Sequence, residues 1–256
     1  MNLDEILNRL AKGEITPKTA KKFLQFNAIV EIDNIAKIDT GRSIRKGIPE
    51  IILAEGKSSN DLTKISKKMF SAFGHVIVSR VNDQQIKALS KTFPKKFLRQ
   101  NLIANMIVIS KKKPKISNLG KVAIITAGTS DIPVAEESKI ILEEIGCRVF
   151  TQYDVGIAGV HRLFNSLQII IKEDVDVIIA IAGREGAMPS IIAGLVDIPV
   201  IGVPTSIGYG YGKDGIAALM SMLQSCSLGI ATVNIDSGVA AGVLASLIAK
   251  RSSRTK

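Results

Sequence analysis

Tryptophan is absent from this chain of 256 residues, and aromatic residues make up only 4% of it. No stacking platform of the kind that grips single-stranded nucleic acid can be drawn from so few rings. Two cysteines, Cys147 and Cys226, stand far apart and provide no disulfide framework. With two histidines beside them, and none of the four at ligand spacing, a Cys/His metal cluster is excluded. No apolar run is long enough and free enough of charge to span a bilayer. The opening stretch, MNLDEILNRLAKGE, carries acids and lacks an apolar core with a cleavage site, so it does not read as a secretory leader. These absences point to a reduced, cytoplasmic protein with no membrane partner.

What is present is a hydrophobic content of 46% and a net charge of +11 that is unevenly placed. The first 120 residues carry 23 lysines and arginines against 10 acids, and the rest carry 11 against 13. Such asymmetry can mark a nucleic-acid partner. Lysines spread over surface faces, or a site for a phosphorylated small molecule, account for it equally. With no zinc-finger spacing either, no nucleic acid is expected.

The pattern changes along the chain. Apolar positions at Leu3, Ile6, Leu7 and Leu10 have helical spacing. Thr16-Pro17 reads as a cap and first-turn proline for a second helix to about Phe26. Short strand-like pieces follow around AKID and EIILAE. Then come a helix from Ser59 to about Phe73, a strand at 75–79, a helix at 82–91 and a strand at 102–110. The run KKKPKISNLG (111–120) combines charge, Pro, Asn and Gly and marks a boundary. We therefore expect a basic N-terminal α/β domain over 1–115, a second domain over 116–250 and a disordered basic tail over 251–256.

From Lys121 strands and helices alternate. Strands are expected at 122–126, 147–152, 175–182, 198–203 and 230–234. Helices are expected at about 132–145, 158–171, 187–195 and 213–226, with a last one after Asp236. Continuous β-branched runs such as VIIAIA read as strands buried on both faces. This is an α/β chain: a flavodoxin-like doubly wound parallel sheet, order 2-1-3-4-5, with a smaller N-terminal α/β domain.

In such sheets ligands lie beyond the carboxyl ends of the strands. The first loop, TAGTSDIP (126–133), supplies small residues, among them Gly128, the hydroxyls of Thr126, Thr129 and Ser130, and a helix N-terminus suited to an anion. Asp131 is a natural helix cap. The second loop ends in His161 and Arg162, a proton carrier and a planar donor fork. The third, AGREGAMPS (182–190), places Arg184 and Glu185 among Gly183 and Gly186. Glu185, if partly buried, becomes a useful general base; an ion pair with Arg184 is the plainer alternative. The fourth, VPTSIGYGYGKDG (203–215), offers Thr205, Ser206 and four glycines, but no Gly-Lys-Ser or Gly-Lys-Thr. Nor does GxGxxG follow the first strand, so phosphate binding must be of another kind. Cys147 reads as a small buried hydrophobe. Cys226, at the end of LMSMLQSC, reads as closing a helix, either as another such hydrophobe or as a nucleophile.

Five motifs taken in order resemble a family: TAGTSD (126–131), DVGIAGVHR (154–162), AGREGAMPS (182–190), VPTSIGYG (203–210) and SCSLGIATVNIDSG (225–238). They are similar to the AIR-carboxylase-like, LarB-type proteins of nickel-pincer cofactor biosynthesis. GIPEIILAEGKS (47–58) resembles that family's N-terminal part. YGYGKDG, SCSLG and IDSGVAAG depart from the family forms. The resemblance implies an enzyme, and a homo-octamer by analogy with its purine-pathway relatives. It implies carboxylation of the pyridinium ring of nicotinic acid adenine dinucleotide from CO2 or bicarbonate. Phosphoanhydride cleavage then releases AMP and leaves pyridinium-3,5-biscarboxylate mononucleotide. By motif, Cys226 is the nucleophile, Glu185 the acidic residue that removes a proton, and His161 a further catalytic residue. Thr126, Gly128, Thr129, Ser130, Asp131, Arg162, Gly183, Arg184, Gly186, Thr205 and Ser206 hold substrate and its phosphates. Asp131 is the expected ligand of a magnesium ion. The alternative is a purine-biosynthesis carboxylase or mutase acting on aminoimidazole ribonucleotide, which needs no cysteine.

Overall fold

The computed structural model describes residues 3–26, 29–32, 36–39, 48–117 and 119–253. The chain divides into two compact units. One holds Met1–Gln100 with Met106–Lys112, and the other Asn101–Asn105 with Lys113–Lys256.

The first unit begins with α1 (Leu3–Ala11) and α2 (Pro17–Phe26). The Thr16 hydroxyl accepts from the backbone N–H of Thr19 at 3.2 Å, as a cap should. β1 (Ile29–Ile32) pairs antiparallel with β2 (Ala36–Asp39). β1 was not anticipated, and residues 40–47, between AKID and the next strand, lie outside the described residues. A second sheet contains β3 (Ile51–Leu53), β4 (His75–Ser79), β5 (Leu98–Asn101) and β6 (Met106–Ser110) in the order β3-β4-β6-β5. Helices α3 (Ser59–Phe73) and α4 (Asp83–Thr92) cover one face. Leu62, Ile65, Met69 and Leu89 pack there on Ile52, Val76, Val78, Ile107 and Ile109.

The strand expected over 102–110 is therefore shorter. The Asn101 side-chain oxygen accepts from the backbone N–H groups of Ile103 (3.0 Å) and Ala104 (3.1 Å), and Asn105 takes a left-handed φ of 48°. Local side-chain bonding of this kind turns the chain where apolar content alone predicts continuation.

The second unit is a parallel sheet of β7 (Lys121–Thr126), β8 (Arg148–Gln152), β9 (Val177–Ala182), β10 (Val200–Pro204) and β11 (Ile230–Thr232). Its order is β11-β10-β9-β7-β8, the flavodoxin-like arrangement. Every residue of β9 is buried, because helices cover both faces. α6 (Val160–Lys172), α7 (Met188–Leu195) and α8 (Ile216–Leu223) supply one apolar cluster. α5 (Ile132–Ile145) and α9 (Gly238–Ser252) supply the other. The α5–α9 contact depends on small residues. A Cβ on Gly242 would stand 2.9 Å from the Ser138 carbonyl oxygen, too close for any side chain there.

Two expected boundaries move. α9 continues through Lys250 and Arg251, whose charges suit the negative end of a helix; of the expected tail, residues 254–256 lie outside the described residues. The helix expected over 213–226 shrinks to α8. Asp214 and Gly215 take left-handed φ values of 60° and 77° and prevent an earlier start. At the other end the Ser225 hydroxyl accepts from Ser227 N–H at 3.1 Å, turning the chain. Cys226 thus lies in a loop and closes no helix.

Candidate active site

The carboxyl ends of β7, β8, β9 and β10 open into a cleft of about 320 Å³. Seven of the sequence candidates line it: Gly128, Ser130, Asp131, Arg162, Gly183, Arg184 and Glu185. Ala127, Asp154, Met188 and Ile207 complete much of the wall.

Each wall is built by the loop that follows its strand. After β7, Asp131 folds back so that Gly128 N–H donates to its Oδ2 at 2.9 Å. The Thr205 hydroxyl, from the loop after β10, donates to its Oδ1 at 2.7 Å. Thr205 is fully buried and Asp131 nearly so. Burial pushes the Asp131 carboxyl above its ordinary range; the Thr205 and Gly128 bonds pull the other way, and the Asp236 charge adds to the rise. Asp131 therefore ties two loops together.

Thr126 plays a similar part. It is buried, and its hydroxyl accepts from Asp154 N–H at 3.0 Å. Asp154, in a left-handed turn after β8, in turn anchors Arg162. The Nη1 group donates to the Asp154 carbonyl at 2.8 Å and to its carboxylate at 3.2 Å. This fixes one edge of the guanidinium at the cleft. His161, next to it on the first turn of α6, is exposed and does not line the cleft.

After β9 the chain turns through Arg184 (φ 50°) and Gly186 (φ 62°). Gly183 is packed directly against the carbonyl of Ile207, and Gly186 against the backbone of Ala218 on α8. Arg184 N–H donates to the Ile207 carbonyl at 3.0 Å, joining this loop to the one after β10. The Arg184 side chain turns to Tyr209, donating to its hydroxyl. The expected alternative, pairing with Glu185, is not what forms. Glu185 is exposed at the cleft, so its own chain does not supply the burial expected of a base. Ser206 is exposed, and its N–H donates to Asp236 at 2.9 Å. Thr126, Thr129, Gly186, Thr205 and Ser206 stand behind or beside the lining.

Among the described residues, Asp131 has no cage of side chains around it for a cation. Both its oxygens accept bonds within the chain, and among the described residues no three His, Cys, Asp or Glu side chains could hold a metal ion. No step below is routed through one.

Cys226 is exposed, whereas Cys147 is buried and its thiol is pushed up to about 11 by burial, with the Asp176 charge adding to it. N-ethylmaleimide added to native protein at pH 8 is expected to modify Cys226 alone, because the thiolate is the reactive form. Peptide mass mapping that finds native Cys147 modified at a comparable rate would contradict this.

Cys226 is not at the cleft. It precedes β11, and Gly229, three residues on, bonds through its carbonyl to Val200 N–H at the start of β10. That is the amino edge of the sheet. At 3.3 Å per residue, the run of β10 to its carboxyl end is roughly 13 Å. Within one chain, Cys226 and Glu185 lie in loops at opposite edges of the sheet.

Residues 121–255 match the AIR carboxylase family, and residues 30–112 match the LarB/PurE-like N-terminal domain. The chain belongs to the LarB-type branch of the AIR carboxylase/PurE-like superfamily. An uncharacterized protein of Methanocaldococcus jannaschii is 45% identical to it over 254 residues, 97% of both chains. An N5-carboxyaminoimidazole ribonucleotide mutase of the same organism is 36% identical over 126 residues, 48% of this chain and 75% of the mutase. That of Thermotoga maritima is 33% identical over 132 residues, 50% of this chain and 74% of the mutase. The mutases thus align with about half of the LarB-type chain. Among the described residues no helix is long and apolar enough to cross a membrane.

Sequence reasoning missed Asp154, Asp236 and Tyr209. A signal existed for the first two: an Asp in the loop that follows a strand readily takes the left-handed conformation that Asp154 (φ 57°) and Asp236 (φ 53°) both adopt.

Proposed function

We propose that this LarB-type protein carboxylates the pyridinium ring of nicotinic acid adenine dinucleotide and then cleaves the phosphoanhydride. The products are AMP and pyridinium-3,5-biscarboxylate mononucleotide. One observation carries the choice over mutase chemistry on aminoimidazole ribonucleotide. The chain has both an exposed thiol, Cys226, and a family-specific N-terminal domain, and the mutase reaction needs neither.

A pyridinium ring is electron-poor and does not attack CO2. Addition of the Cys226 thiolate at the carbon para to nitrogen moves a ring electron pair onto nitrogen. The neighbouring carbon becomes enamine-like and bonds to CO2. Glu185 removes the proton from that carbon, and the released pair expels the thiolate and restores the ring. One hard step becomes several easier ones. Arg162, held by Asp154, and the 126–131 loop bind the diphosphate, whose hydrolysis by water releases AMP.

This chemistry requires Cys226 from a second copy of the chain, since its own cleft lies at the other edge of the sheet. The surface near Cys226 supports such a contact. Ile216, Met220 and Leu223 form an exposed apolar stripe on α8, and Leu228 is 90% exposed. A homo-octamer, carried over by analogy with the purine-pathway relatives, supplies many such pairings. A second copy would also cover Glu185 and provide the missing burial.

The protein incubated with nicotinic acid adenine dinucleotide and bicarbonate is expected to release AMP, followed by chromatography, and Cys226→Ala to release none. AMP-free incubation with no mass adduct on Cys226 would sink the proposal. Turnover of aminoimidazole ribonucleotide by Cys226→Ala would establish the mutase reading instead.

A further inference from the structure

The Arg184 guanidinium lies over the Tyr209 ring, its central carbon 4.8 Å from the ring centroid, and also donates to the tyrosine hydroxyl. Tyr209 has little other support, being 75% exposed. An aromatic ring left outside the core and faced by a flat cation at the edge of a substrate cleft calls for a role. The backbone on both sides is pinned. Arg184 N–H is held by Ile207, and the glycine-rich turn closes on itself where Gly208 packs against the carbonyl of Gly212. The side chains of Arg184 and Tyr209 are therefore the parts left to move.

We infer that Tyr209 is the seat for the substrate's cationic ring, which Arg184 occupies until the substrate arrives. This rests on the pyridinium reading above. A guanidinium is planar, delocalised and weakly hydrated, and it is drawn to the negative face of an aromatic ring. A pyridinium ring is also planar, delocalised and cationic. The two compete for one platform. Displacement of Arg184 by the pyridinium frees a planar donor fork, suited to a diphosphate oxygen, at the residue next to Glu185. Ring arrival and phosphate binding are thereby coupled. The seat also selects oxidation state, because a reduced dihydropyridine ring carries no charge.

The test uses the full chain with Cys226→Ala to stop chemistry, and calorimetric binding of three probes: oxidised nicotinic acid adenine dinucleotide, its reduced form, and AMP. Tyr209→Leu is expected to weaken the oxidised form about tenfold and the reduced form and AMP less than about twofold. Tyr209→Phe keeps the ring and holds the oxidised form within about threefold of the parent. Equal loss for oxidised and reduced forms overturns the inference, and so does loss confined to AMP, which would make Tyr209 an adenine platform. If the chain with Cys226 intact releases AMP while Tyr209→Leu leaves the preference for the oxidised form unchanged, this inference falls alone. If the parent binds no dinucleotide, the function proposal falls with it.

Discussion

Co-expressed Cys226→Ala and Glu185→Gln chains are expected to recover about a quarter of wild-type AMP release, although each variant alone is inactive or nearly so. The reason is geometric. Cys226 lies in the loop before β11, and Glu185 lies in the loop after β9. In a parallel sheet those loops are at opposite edges. If the reacting pair joins two copies, a site works when its thiol comes from a Glu185→Gln chain and its carboxylate from a Cys226→Ala chain. Random assembly of equal amounts gives about one such site in four. Loss of the nucleophile removes the ring-activation step outright, and loss of a general base typically lowers turnover roughly 10²–10⁴-fold. Recovery therefore stands far above either background. Differently tagged chains and native mass spectrometry would establish that mixed assemblies form. Mixed assemblies without recovered activity would show that the two groups do not act across copies.

Gly183→Ala is expected to cost about 2–3 kcal/mol of stability and roughly a hundredfold in activity at a temperature where the protein stays folded. A Cβ at this position would run into the Ile207 carbonyl and stand 2.7 Å from the Thr205 hydroxyl. The carbonyl is backbone and cannot rotate away. The loops after β9 and β10 must separate, which stretches the Arg184–Ile207 and Thr205–Asp131 bonds together. Thermal unfolding measures the first effect and AMP release the second. A melting temperature within about 2 °C of wild type, with activity retained, would show that the wall is softer than its packing implies.

Much of the second unit was legible in the chain. Runs such as VIIAIA are apolar at every position, as strands buried on both faces are, and their spacing left room for one helix each, which together indicate a parallel sheet. Strand order and the loops at the carboxyl edge followed from that. The placement of Cys226 was missed, although the topology carries it. A loop after a helix in a strand–helix–strand unit returns to the amino edge of the sheet, and motif matching alone does not carry that direction. The turn at Asn101 was hidden because one amide side chain outweighed a continuous apolar run.

The sequence by itself determined the sheet, its order and which loops meet at the cleft, because periodicity and chain connectivity are local properties. Only the tertiary structure decided how the polar groups there are used. Thr126 and Thr205 spend their hydroxyls holding Asp154 and Asp131, and Arg184 turns to Tyr209 instead of the neighbouring Glu185. Those choices depend on distances between residues from different loops, set by strand register and the close approach of glycine backbones, which no spacing along a single chain encodes.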